Sequence, residues 1–149
     1  MKQNILIYTI VGLMMSTAVI YFVAASEELP SESSSADDKL SSEVQMAFFA
    51  TCGIAYIPVG IWMLVDNARS VKRTTKPYII AIAGSAALIV LYVVSRMINL
   101  PLVGLQTDVG TIDILAKVLE AGIIAVSVYI IVSIKKPIAK EKNMPKTLE

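Results

Sequence analysis

Four stretches of the chain are apolar on every side, with no alternation of polar and apolar positions. Ile5 to Ala25 and Val44 to Val65 carry no charge, Tyr78 to Val94 is uncharged up to Arg96, and Ile114 to Ile134 is interrupted only by Lys117 and Glu120. A helix rises about 1.5 Å per residue, so about 20 apolar residues cross a hydrocarbon core of about 30 Å. The pattern predicts helices over 5–25, 44–65, 78–98 and 112–134 in one membrane domain covering 1–149. The expected fold is an all-α, four-helix integral membrane bundle. Val23-Ala24-Ala25 before Ser26 has the small residues of a signal-peptidase site. The apolar run is longer than a signal core, however, and only Lys2 precedes it, so the first helix reads as an uncleaved signal anchor. Cleavage would leave three helices.

The polar segments orient the bundle. Arg69, Lys72, Arg73 and Lys76 lie between the second and third helices, and Lys135, Lys136, Lys140, Lys142 and Lys146 lie in a basic tail over 135–149. With Lys2, these fall on one side. The segment 26–43 holds Lys39 alone against Glu27, Glu28, Glu32, Asp37, Asp38 and Glu43. The positive-inside rule therefore places both termini in the cytoplasm of a multi-pass cell-membrane protein. The acidic, serine-rich outer loop 26–43 has almost nothing to bury and is expected to be solvated and disordered.

Composition narrows the chemistry. Of 149 residues, 56% are hydrophobic and 17% charged, too few charges for a soluble domain, which carries about a quarter. A formal net charge of +1 argues against a nucleic-acid binder. Histidine is absent, which removes the commonest metal ligand and general base. Cys52 is the sole cysteine, so there is neither an internal disulfide nor an iron–sulfur site. The methionines are scattered rather than clustered as in copper motifs. No catalytic residue, metal site or cofactor is expected, and no enzymatic activity.

Inside lipid, helices associate through small residues that allow close approach. Gly12 and Ser16, Gly84 and Ser85, and Ala121 and Ala125 are the candidate packing positions, expected to make contacts within one bundle rather than a dimer motif. Pro58, flanked by Gly53 and Gly60, is expected to kink the second helix. Trp62 and Tyr8, Tyr21, Tyr78, Tyr92 and Tyr129 fall near span ends, as an aromatic belt would.

The densest chemistry lies between Ser95 and Glu120. Leu100-Pro101, Gly104 and Gly110 interrupt helix in an otherwise apolar segment, which reads as folding back onto the bundle, and Thr111 is the expected N-cap of the fourth helix. Asp113, Lys117 and Glu120 are spaced by four and three and share one helical face. Arg96 lies close under the outer surface at the end of the third helix and Glu120 about 9 Å below that surface, a difference that the long arginine side chain can largely cover. The expected arrangement is a candidate intramembrane charge network in which Arg96 faces Glu120, with Lys117 and Asp113 completing an alternation. Charges at this depth are costly unless paired or functional. A structural ion pair fixing the hairpin is the favoured reading, against an ion path or a ligand pocket.

The motif Ser95-Arg96, then Leu100-Pro101, Gly110, and Lys117-x-x-Glu120 resembles that of small uncharacterised prokaryotic four-helix membrane proteins over about residues 78–134. The resemblance implies the fold and supplies no activity. The expected function is that of a non-catalytic structural or accessory protein, for example a small subunit of a larger membrane complex, with the lipid bilayer, other subunits or a second copy as partners. The alternative is a small-solute or ion transporter or channel using the outer charged cluster, with Ser85, Ser127 and Thr51 lining a pore. Mg²⁺ held by Asp108, Asp113 and Glu120 in a lipid-modifying enzyme ranks third.

Overall fold

The structure, a computed structural model, describes residues 2–29, 36–69, 74–98 and 110–142. The described residues form four helices: α1 (Lys2–Glu27), α2 (Ala36–Ala68), α3 (Lys76–Met97) and α4 (Thr111–Lys142). All four are long and apolar enough to cross a membrane. Each runs beyond its apolar core. The largest extensions are at the start of α2, where residues 36–43 of the expected disordered loop are helical, and at the end of α4, which continues equally far into the basic tail, to Lys142. Both extensions follow from helix cooperativity, because adding a residue to a formed helix costs far less than starting one. The expected fold-back between Leu100 and Gly104 lies outside the described residues, as does the part of the acidic loop over 30–35, whereas Ser26 and Glu27 complete the last turn of α1.

Local chemistry sets the ends. Pro77 sits in the first turn of α3, where its missing N–H costs nothing, and the Thr75 carbonyl accepts from Ile79 N at 3.1 Å. Asp66 near the end of α2 accepts from Thr74 N at 2.9 Å and from Thr74 Oγ1 at 3.3 Å, closing the α2–α3 connection. At the start of α4, Ile114 N donates to Gly110 O at 3.3 Å, and Thr111 is already helical. The capping position thus falls one residue earlier than expected. Pro58 is accommodated within a continuous α2.

The helices run up and down. α1 packs against α2 and α4, α3 packs against α4, and α2 and α3 scarcely meet, so the ring is open on the α2/α3 side. Each helix buries positions that step by three and four: Ile7, Val11, Met14, Ala18, Tyr21 and Ala25 on α1, and Ala116, Glu120, Ile123, Ser127 and Ile130 on α4. Gly53, Tyr56, Gly60 and Met63 continue the pattern on α2, and Tyr78, Ala81 and Ser85 on α3. This is the 3.5-residue seam of left-handed bundles.

The small residues at the closest approach are Gly53 and Gly60, not the expected ones. A Cβ at Gly53 would lie 3.1 Å from Ala18 O, and one at Gly60 3.0 Å from Met15 Cε. Among the expected packing positions only Ser85 is buried; Gly12, Ser16, Gly84, Ala121 and Ala125 are exposed, and Gly12 and Gly84 have nothing within 4 Å of a built Cβ. At about 100° per residue, Gly12 and Ser16 point directly away from the α1 seam, as Ala121 and Ala125 do on α4. The reason is physical: where all faces are apolar, residue size alone does not say which face turns inward. The outer surface carries large apolar side chains such as Ile5, Ile54, Val90 and Val118.

Candidate functional site

Arg96, Asp113, Lys117 and Glu120 gather at one end of the bundle, where α1 and α3 finish and α2 and α4 begin. Glu120 occupies a seam position of α4 and is fully buried. Its carboxylate is held from two sides: the Tyr21 hydroxyl of α1 donates to Oε1, and Lys117 Nζ donates to Oε2 at 2.8 Å. The same ammonium donates to Tyr21 Oη at 3.1 Å and to the Leu88 carbonyl of α3 at 3.4 Å. Lys117 thereby joins α1, α3 and α4 with all three of its N–H donors directed at acceptors. It also lies 5.7 Å from the Tyr21 ring centroid and 5.4 Å from that of Tyr92, so two aromatic faces share the desolvated charge.

One turn nearer the end, Arg96 and Asp113 form a second pair at 3.0 Å, with the guanidinium 4.9 Å from the Tyr92 ring centroid. The expected partnership is therefore exchanged: Arg96 serves Asp113, and Glu120 is served by Lys117 and Tyr21. The cause is depth. Asp113 and Glu120 are seven residues apart, about 10.5 Å along the axis, and Arg96 meets the shallower carboxylate. The two pairs also differ in setting. Asp113 keeps a third of its side chain exposed, whereas Glu120 keeps none. Just past the end of α1, burial raises the Glu28 carboxyl above its ordinary range, and the neighbouring Glu27 and Asp113 carboxylates add to the rise.

A polar step continues inward. Tyr21 stacks on Tyr56 at 6.3 Å and on Phe49 at 6.0 Å, and the Tyr56 hydroxyl shares a hydrogen bond of 3.1 Å with Ser85 Oγ across the α2/α3 gap. Ser127, one heptad beyond Glu120, is fully buried, and its Oγ has no hydrogen-bond partner among the described residues. Thr17 is buried too but returns its hydroxyl to Leu13 O of its own helix at 2.9 Å. Beyond these the seam is closed by Ile7, Ile10, Met14, Met63 and Ile130. Thr51, expected beside Ser85 and Ser127, is exposed and bonded to Ala47 O at 2.7 Å.

Tyr21 and Tyr56 are the residues that sequence reasoning missed. Tyr21 reads as part of an aromatic belt, yet it is 4% exposed and is the sole donor from α1 to Glu120 among the described contacts. Its signal was weak: it lies seven residues after Met14 and fourteen after Ile7, a repeat visible only once the seam is known. Tyr78 is likewise buried, whereas Tyr8, Trp62 and Tyr129 do face outward. Ser95 closes onto its own helix at Tyr92 O at 2.9 Å, and Gly110 precedes α4. Among the described residues no group of three or more acidic or thiol side chains converges as a metal site, and Asp108 lies outside them.

Two voids adjoin the network. A chamber of about 160 Å³ is bounded by all four helices, including Tyr21, Phe48, Tyr92, Asp113 and Lys117. A trough of about 300 Å³ follows the α2/α3 gap past Cys52, Ala55, Tyr56, Ile80, Gly84 and Ala87. Comparison of the chain with protein-family models, curated proteins and solved structures gives no match.

Proposed function

We propose that the protein is a non-catalytic multi-pass protein of the cell membrane, with both termini cytoplasmic, serving as a structural or accessory component of a larger membrane assembly. The observation that carries this reading is that the four charged side chains of the site are spent on one another. Arg96 meets Asp113 and Lys117 meets Glu120, and with Tyr21 they tie three helices together. Such pairing suits a clamp that holds register. The outward small-residue stripes at Gly12 and Ser16 and at Ala121 and Ala125 support the accessory role, because they offer another membrane helix the close approach that drives association in lipid. Retention of the first helix is supported by its share of the core, from Ile7 to Tyr21.

The test is purification of the tagged chain in mild detergent. Co-purification with larger membrane partners, lost in a Gly12→Leu/Ser16→Leu variant that still folds, is the expected result. Isolation as a lone monomer in several detergents overturns it. For orientation, single cysteines at Ser34 and Asn143 in a Cys52→Ala background should be labelled from opposite sides of intact cells.

The transport reading draws on the polar step from Glu120 through Tyr56 and Ser85. The apolar closure from Met14 to Ile130 counts against it, since among the described residues no charged side chain continues the path. A liposome ion flux abolished by Glu120→Gln would reverse the preference.

A further inference from the structure

The two voids are parts of one site. They lie one after the other along the α2/α3 opening and share Leu88 at their junction. Their chemistry differs by depth. The trough is lined almost wholly by apolar side chains, among them Ala55, Val59, Ile80 and Ala87, and it faces outward where Gly84 has nothing beside it. The chamber above it is also mainly apolar but presents Gln45, Ser95, Asp113 and Lys117. From Ile80 to Ser95 the two cover about 22 Å of α3, the reach of one extended hydrocarbon chain with a polar end group. A void of the chamber's size, walled by apolar side chains, admits a molecule about as large as benzene, so a single small head group fits and a bulky one does not.

The charges decide the head group. Lys117 has its three donors committed to Tyr21, Leu88 and Glu120, and Arg96 holds Asp113. An anionic head would have to displace Asp113 or Glu120 from its cation, with the Asp113 carboxylate standing in the chamber wall. A cationic head would enter beside Lys117 and Arg96. A neutral head meets neither penalty, and it can hydrogen-bond to the hydroxyl, amide and carboxylate groups of the chamber wall.

We propose that the α2/α3 opening is a binding site for a neutral single-chain membrane amphiphile, its apolar chain in the trough and its small hydrogen-bonding head in the chamber beside Lys117. The site goes beyond the clamp role and rests only on the membrane-spanning part of that reading.

The test uses the full chain in nanodiscs doped with a diazirine-bearing long-chain alcohol, with the matching carboxylic acid and amine as parallel probes and peptide mapping of the label. Expected is alcohol labelling concentrated on α2 and α3 along the opening, competed away by unlabelled alcohol, and much weaker labelling there by the acid and the amine. Gly84→Trp, which fills the trough from a position with open space, should remove the label; Gly12→Trp, equally open but on the far face of α1, should leave it. Label that persists in Gly84→Trp, or that spreads evenly over the outward faces, overturns the site. Equal labelling by the acid or the amine overturns the neutral-head assignment. Competition on the unaltered chain decides the matter even if Gly84→Trp fails to fold. Label on the outward face of α1 but not along the opening rejects the site while leaving the membrane reading intact; no label on any helix rejects both.

Discussion

The two ends of the seam are built from the same repeat and held by different forces. At the charged end, seam positions carry Tyr21 and Glu120, and Lys117 reaches in beside them; at the opposite end they carry Ile7, Met63 and Ile130. Packing of the second kind has no directional demand, and similar apolar side chains can replace one another at small cost. The first kind names its partners. A carboxylate with no exposure tolerates its surroundings only while a cation and a hydroxyl face it, so this end sets which helices meet and at what height. The contrast yields expectations that differ in size.

The largest effect should come from breaking the Lys117–Glu120 pair. Lys117→Leu leaves Glu120 buried with Tyr21 alone and should cost about 3 to 5 kcal/mol, read as thermal unfolding in detergent. The Lys117→Leu/Glu120→Leu double variant should recover most of that loss. An additive double variant would show that the two side chains do not act as a pair.

Next come the two tyrosines. Tyr21→Phe removes a hydroxyl that donates to a charged acceptor and should cost about 2 kcal/mol, whereas Tyr56→Phe breaks a neutral bond to Ser85 and should cost about 1 kcal/mol. Equal losses from the two would contradict the contrast between charged and neutral ends.

Arg96→Ala should cost less than about 1 kcal/mol, since the pair it leaves is part-exposed and Asp113 can turn to water. This sharpens the comparison within the charged end, because Arg96→Leu/Glu120→Leu should show no coupling of its own. Coupling between those two would restore the partnership that the sequence suggests.

The smallest effect concerns pH. Glu28 has its carboxyl raised by burial, then by Glu27 and Asp113, so the folded chain binds its proton more tightly than the unfolded one. Between the ordinary glutamate range and the raised value the folded state therefore holds more protons, and stability should fall as pH rises through that window. Glu28→Gln should flatten this part of the unfolding profile. A slope of opposite sign would mean that Glu28 is stabilised as a carboxylate.

How far the amino-acid order could be read varies with the kind of information. Four helices were legible because length and continuous apolar character are properties of a segment alone, and Arg96, Asp113, Lys117 and Glu120 stood out because charge is rare in such segments. The inward face was not legible. A helix apolar all round carries no contrast between sides, so Gly12 and Ala121 looked as suited to the interior as Val11 and Glu120. Nor was the pairing. Tyr21 and Glu120 are 99 residues apart, and their meeting depends on the relative height of α1 and α4, which packing across the whole seam sets. Segment identity is thus local chemistry, while partner choice is a property of register, and only the assembled helices have one.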